Sequence, residues 1–154
     1  TFENRFVRAL WLRGTVPVQS FTGHANFVTG AALSPDGRHV ATSSWDRTAR
    51  VWSAETGNHV RALTGHTNFV TSVAYSPDGK RIVTGSWDRT ARSWDADTGA
   101  ERLVLNGHAH YVLGAAYSAD GKRIVTASYD GTARVWDAET GKELLALIGH
   151  AGPV

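Results

Sequence analysis

"SSWDRTARVWSAETG" occupies residues 43–57, "GSWDRTARSWDADTG" residues 85–99 and "ASYDGTARVWDAETG" residues 127–141. The aspartates behind the aromatic residue, Asp46, Asp88 and Asp130, lie 42 residues apart each time. The pairs Gly23-His24, Gly65-His66, Gly107-His108 and Gly149-His150 keep the same step without a gap. A period of this size marks an architecture in which each unit cannot bury its apolar surface alone and must stack on its neighbours.

Within a period, hydrophobic residues alternate over short runs bounded by turn chemistry, which predicts strands. In the second unit "FVTSVAYS" (69–76) reads as a first strand. "PDGK" (77–80) is a tight turn, with Pro77 presetting φ and Gly79 free to take positive φ. "RIVTGSW" (81–87) is a second strand, Asp88 opens another turn, "ARSWDA" (91–96) is a third strand, and "DTGA" leads into "ERLVLN" (101–106). Units one and three fit the same scheme, with "SPDGR" (34–38) and "SADGK" (118–122) as the first turn. The expected fold is all-β, built from four-stranded antiparallel meanders arranged radially so that stacking protects the strand edges.

A Gly-His pair, a Ser-Pro-Asp-Gly turn, a Ser-x-Asp-x-Thr turn and a Trp-Asp pair, repeated in phase over residues 23–150, resemble the WD-repeat β-propeller family. Two departures are visible: Trp52-Ser53 stands where the family has Trp-Asp, and Ala119 where it has proline. The resemblance implies repeats at 23–64, 65–106 and 107–148, with 149–154 starting a further one. "RFVRALWLRGTVPVQSFTGH" (5–24) can be laid over residues 47–66, Trp11 falling within one residue of the Trp52 position, and residues 1–22 read as the last two strands of a degenerate preceding blade. That makes about three and a half blades where family propellers usually close with about seven. The expectation is a piece of a longer propeller or a homo-oligomer joined through open blade faces, consistent with a chain that contains no methionine. The Arg- and Ala-rich wording also resembles propellers appended to bacterial signalling proteins.

Composition narrows the function. Sixteen Lys/Arg against fourteen Asp/Glu leave a formal charge of +2, too small a surplus to imply nucleic acid. No apolar run approaches the roughly 18 residues that span a bilayer, and "TFENRFVRALWLRG" (1–14) carries no signal-peptide cleavage pattern. A soluble, cytoplasmic protein is expected, although the absence of cysteine leaves the redox compartment open.

Each unit contains a histidine, a hydroxyl and an aspartate: His24, Thr42 and Asp46; His66, Thr84 and Asp88; His108, Thr126 and Asp130. Such sets invite a hydrolase reading. The family resemblance implies instead a structural tetrad, in which the carboxylate accepts from the imidazole, the imidazole meets the hydroxyl, and the hydroxyl meets the indole N–H of Trp52, Trp94 or Trp136. An active site needs one distinct constellation, and this chain writes the same one three times. No catalytic residue and no cofactor is therefore expected. Ser44, Ser86 and Ser128, two residues before each aspartate, share the strand face and are alternative hydroxyls.

Metal signals are poor: "HAH" (108–110) commits His108 to the tetrad, and "DADTG" (95–99) lacks the sixth-position glycine and twelfth-position glutamate of a calcium loop. Two aromatic series are more informative. Trp45, Trp87 and Tyr129 precede the tetrad aspartates, and Phe27, Phe69 and Tyr111 follow each Gly-His at a fixed offset. In the family, both neighbouring loops form one rim of the central channel. Rings facing solvent there would form a protein- or peptide-binding surface, edged by Arg47 and Arg89, while Gly131 breaks that series. The competing possibility is that the rings pack between blades. The expected function is a non-enzymatic interaction scaffold with protein or peptide partners. The alternatives are a hydrolase or lyase with one rim pocket, and nucleic-acid binding through arginines converging on one face.

Overall fold

The computed structural model describes residues 19–149 together with 152 and 154. Trp11 and most of the stretch read as two earlier strands lie outside the described residues, as does half of the start of a further repeat. Among the described residues twelve strands form three sheets. The first contains β1 (Val28–Leu33), β2 (His39–Ser44), β3 (Thr48–Ser53) and β4 (His59–Thr64). The second contains β5 (Val70–Tyr75), β6 (Arg81–Ser86), β7 (Thr90–Asp95) and β8 (Glu101–Asn106). The third contains β9 (Val112–Tyr117), β10 (Arg123–Ser128), β11 (Thr132–Asp137) and β12 (Glu143–Ile148). Each is an antiparallel meander in chain order, the blade of an all-β propeller. Among the described residues no helix is long and apolar enough to cross a membrane.

Turn chemistry sets the strand ends. In the first hairpin of the second blade the Asp78 carboxylate accepts from the Ser76 hydroxyl at 2.6 Å and from the Lys80 amide at 3.0 Å, while Gly79 takes φ 72°. Those two hydrogen bonds hold the Asp78 carboxyl below the usual carboxylate range. Asp36 and Asp120 repeat the arrangement. After each tetrad aspartate the turn again requires a left-handed residue, and here the sequence supplies Arg47 (φ 70°), Arg89 (φ 73°) and Gly131 (φ 78°). For the two arginines that conformation costs about 1–2 kcal/mol each.

The second strand of the first and second blades is covered on both faces, whereas β10 is covered on one, so the cores lie between blades. Ala41, Ala49, Val51 and Leu63 of the first blade pack against Val73, Ile82, Trp94 and Ala96 of the second. Val83, Ala91 and Leu105 of the second pack against Val112, Ile124, Trp136 and Ala138 of the third. One residue in the first strand of each blade is bulged out of register. In two blades that residue is a threonine whose hydroxyl donates to the next blade, Thr29 to the Val70 carbonyl at 2.6 Å and Thr71 to the Val112 carbonyl at 2.7 Å.

Candidate functional site

The tetrad residues come together in every blade. In the second, Trp94 Nε1 lies 2.9 Å from Thr84 Oγ1, which lies 2.8 Å from His66 Nε2, and His66 Nδ1 lies 2.7 Å from Asp88 Oδ2. An indole N–H only donates, so the threonine oxygen accepts it and donates its own O–H to Nε2. Nδ1 then carries the ring proton and donates to the carboxylate. The chain is satisfied from end to end. The same distances are 2.8, 2.7 and 2.7 Å through Trp52, Thr42, His24 and Asp46, and 2.9, 2.7 and 2.9 Å through Trp136, Thr126, His108 and Asp130.

The carboxylates collect further donors. Asp46 Oδ2 accepts the Ala25 amide at 3.0 Å, and Oδ1 accepts the Thr48 amide at 3.0 Å and hydroxyl at 2.6 Å. Burial pushes the Asp46 carboxyl up, but hydrogen bonds from Thr48, His24 and the Ala25 amide outweigh it and hold the group at about 2. Asp88 and Asp130 are held low by the same balance. Burial pushes the His24 imidazole down, against the opposing pull of Asp46. Each hydroxyl is buried and already accepts an indole N–H, so a substrate carbonyl has no access to it. The serines do a different job: Ser86 Oγ accepts the Asp88 amide at 3.1 Å and donates to the Asn68 carbonyl at 3.2 Å, closing the turn, and Ser44 and Ser128 repeat this.

Above the tetrads the two aromatic series merge into one ladder. Within a blade, the Trp45, Trp87 and Tyr129 amides each donate at 2.9 Å to the carbonyls of Phe27, Phe69 and Tyr111, which pins the two loops together. Across the gaps, Trp45 stacks on Phe69 with centroids 5.0 Å apart and planes 13° apart, and Trp87 stacks on Tyr111 at 4.5 Å and 9°. Phe27 meets Trp45 edge-on at 5.2 Å, and Phe69 meets Trp87 at 5.2 Å. The inner four rings are half-buried, while Phe27 and Tyr129 at the two ends are 63% and 53% exposed. The rings therefore pack between blades and also face solvent. His110 joins it, 4.1 Å from Tyr111 and 4.9 Å from Tyr129. Its Nδ1 accepts the Tyr111 amide at 2.9 Å, and both ring nitrogens of His108 are engaged within the tetrad.

Most arginines near the strands are committed. Arg92 pairs with Glu101 and Arg134 with Glu143, while Arg61 and Arg81 donate to backbone carbonyls of the next blade. Arg47 and Arg89 are exposed at the ladder.

A family model described as "WD domain, G-beta repeat" matches residues 15–53, 57–95 and 99–137. The chain belongs to the WD-repeat family. The second and third WD matches each run from the outer strand of one sheet through the third strand of the next, so each sequence unit bridges two blades. Among proteins of similar sequence are the small ribosomal subunit protein RACK1 of Candida albicans, 45% identical over 27% of this chain and 13% of that protein. Ribosome assembly protein 4 of Saccharomyces cerevisiae is 33% identical over 39% of this chain and 12% of its own length. Cross-pathway control WD-repeat protein 2 of Flammulina velutipes is 42% identical over 29% of this chain and 14% of its own length. The chain thus spans only a small part of the curated relatives it matches. These relatives are fungal and lend no support to a bacterial character.

Sequence reasoning did not reach two features of these WD blades. The face-to-face stacking across the gaps depends on blade spacing, which no single repeat encodes. The left-handed φ of Arg47 and Arg89 had a signal in Gly131, the glycine at the same position of the third repeat.

Proposed function

We propose that this chain is a non-enzymatic interaction scaffold that captures a peptide or protein segment on its aromatic rim. The observation that carries the reading is the ladder of Trp45, Phe69, Trp87 and Tyr111 stacked across the gaps and ending in the exposed rings of Phe27 and Tyr129. Stacking holds the rings rigid, so a partner meets an ordered amphipathic surface at low entropic cost. Arg47 and Arg89 beside it keep a strained backbone and have no ion-pair partner among the described residues, which favours a ligand with carboxylates near an apolar anchor.

A rim hydrolase or lyase is less well supported, because the three Thr-His-Asp sets are buried and used up in alike tetrads. Nucleic-acid binding is less well supported because most strand arginines are paired or bound to carbonyls. Further blades, from a longer chain or from a second copy, would complete the ring and extend the ladder. The test is to select random peptides on the immobilised protein and measure their affinity for Tyr129→Ala. Its exposed ring is expendable for folding, so a loss of about tenfold or more at unchanged melting temperature is expected. Unchanged affinity would remove the rim from the account.

A further inference from the structure

The gaps between blades share one core pattern but differ at the rim opposite the aromatic ladder. Between the second and third blades Arg81 bridges the gap. Its Nη1 donates to the Ala138 carbonyl at 3.1 Å and its Nη2 to the Gly121 carbonyl at 2.9 Å. Its guanidinium lies over the Tyr117 ring, 5.3 Å from the centroid, and 3.4 Å from the Glu139 carboxylate. Arg102 reaches the same carboxylate at 3.2 Å. This slot therefore holds one guanidinium on an aromatic face, a second on the shared carboxylate, and two carbonyls.

Between the first and second blades the receiving groups recur, one period earlier, as Tyr75, Gly79, Ala96 and Asp97. The arginines at the two donor positions do not. His39 stands at the Arg81 position and Val60 at the Arg102 position. The shorter imidazole leaves a cavity of about 460 Å³ lined by His39, Tyr75, Gly79, Ala96 and Asp97, within the roughly 300–1,000 Å³ of small-ligand sites. Arg61 enters from β4 and donates to the Ala96 carbonyl, supplying one guanidinium where the other slot has two. Among the described residues nothing donates to the Gly79 carbonyl, and the Asp97 side chain is exposed and unpaired.

We propose that this slot binds the guanidinium group of an external arginine. The group would lie over Tyr75 and donate to the Gly79 carbonyl and the Asp97 carboxylate, as Arg81 does over Tyr117. Arg61 and Lys80 repel a further cation, but Asp36, Asp78 and Asp97 line the same cavity and outnumber them. The proposal is independent of the aromatic rim.

The test is a titration of the whole chain with N-acetyl-L-arginine amide, followed by NMR shifts, against the citrulline analogue, which keeps the shape and lacks the charge. Saturable binding that falls at least tenfold with citrulline is expected. His39→Arg should refill the slot from within, abolishing binding while raising the melting temperature. Asp97→Asn, at an exposed turn, should weaken binding at least fivefold without moving the melting temperature. Free L-arginine distinguishes the source: tighter binding of the blocked residue assigns the site to a protein side chain, and tighter binding of the free amino acid to a metabolite. No saturation, equal binding of citrulline, or undiminished binding to His39→Arg would overturn the proposal.

Discussion

A buried carboxylate held near 2 by a threonine, an imidazole and an amide makes Asp46 sensitive to acid, and Asp88 and Asp130 share the arrangement. Their folded values lie below the unfolded value of about 3.9, so their contribution is complete above that pH and is lost as pH falls toward their folded values. His24 is also depressed on folding, because burial disfavours its cation. Its contribution is complete above the unfolded value of about 6.5 and declines below it. The melting temperature followed by circular dichroism should fall gently from about pH 6.5 and steeply below about pH 4. A melting temperature that rises on acidification from pH 7 to pH 5 would contradict this account of the tetrads.

At the scale of the strand and its turn, the threonine hydroxyl ties β6 to β7 and to the loop carrying His66. Thr84→Val keeps the shape but strands an indole N–H and an imidazole nitrogen, at about 1–3 kcal/mol for each unpaired group. Thr84→Ser keeps the hydroxyl and loses one buried methyl, about 1 kcal/mol. Urea denaturation should separate the two variants by at least about 1 kcal/mol, and equal stabilities would show that the hydrogen-bond chain contributes nothing. The strands themselves were legible in the sequence, because period-two alternation and the Asp-Gly turns are local properties. The choice between Thr84 and Ser86 was not. Both lie on one strand face, and only the turn geometry, where Ser86 bridges the Asp88 amide and the Asn68 carbonyl, decides between them.

Over the whole molecule, stacking between blades supplies the cores, and the repeat makes equivalent positions comparable. Ala41 and Val83 are 0% exposed at the two closed gaps, whereas Val125, at the same position of the third blade, is 40% exposed. Val83→Ala should cost about 2 kcal/mol, while Val125→Ala should stay within about 0.5 kcal/mol in this chain. A large cost at Val125 would mean that another blade covers it in solution, which chemical denaturation at several protein concentrations would reveal. Tandem blades were readable from the 42-residue step, but the contrast between the Arg81 and His39 slots was not, since it exists only where one blade meets the next. In the proposed function, strained arginines are held at an ordered aromatic rim for binding. The most direct measurement compares the native chain with the Arg47→Gly, Arg89→Gly double variant, for both the affinity of rim-selected peptides and the unfolding midpoint. Glycine accepts φ near 70° without strain, so the account predicts peptide binding at least tenfold weaker with a midpoint unchanged or higher. Native-like affinity in a fully folded double variant would contradict it.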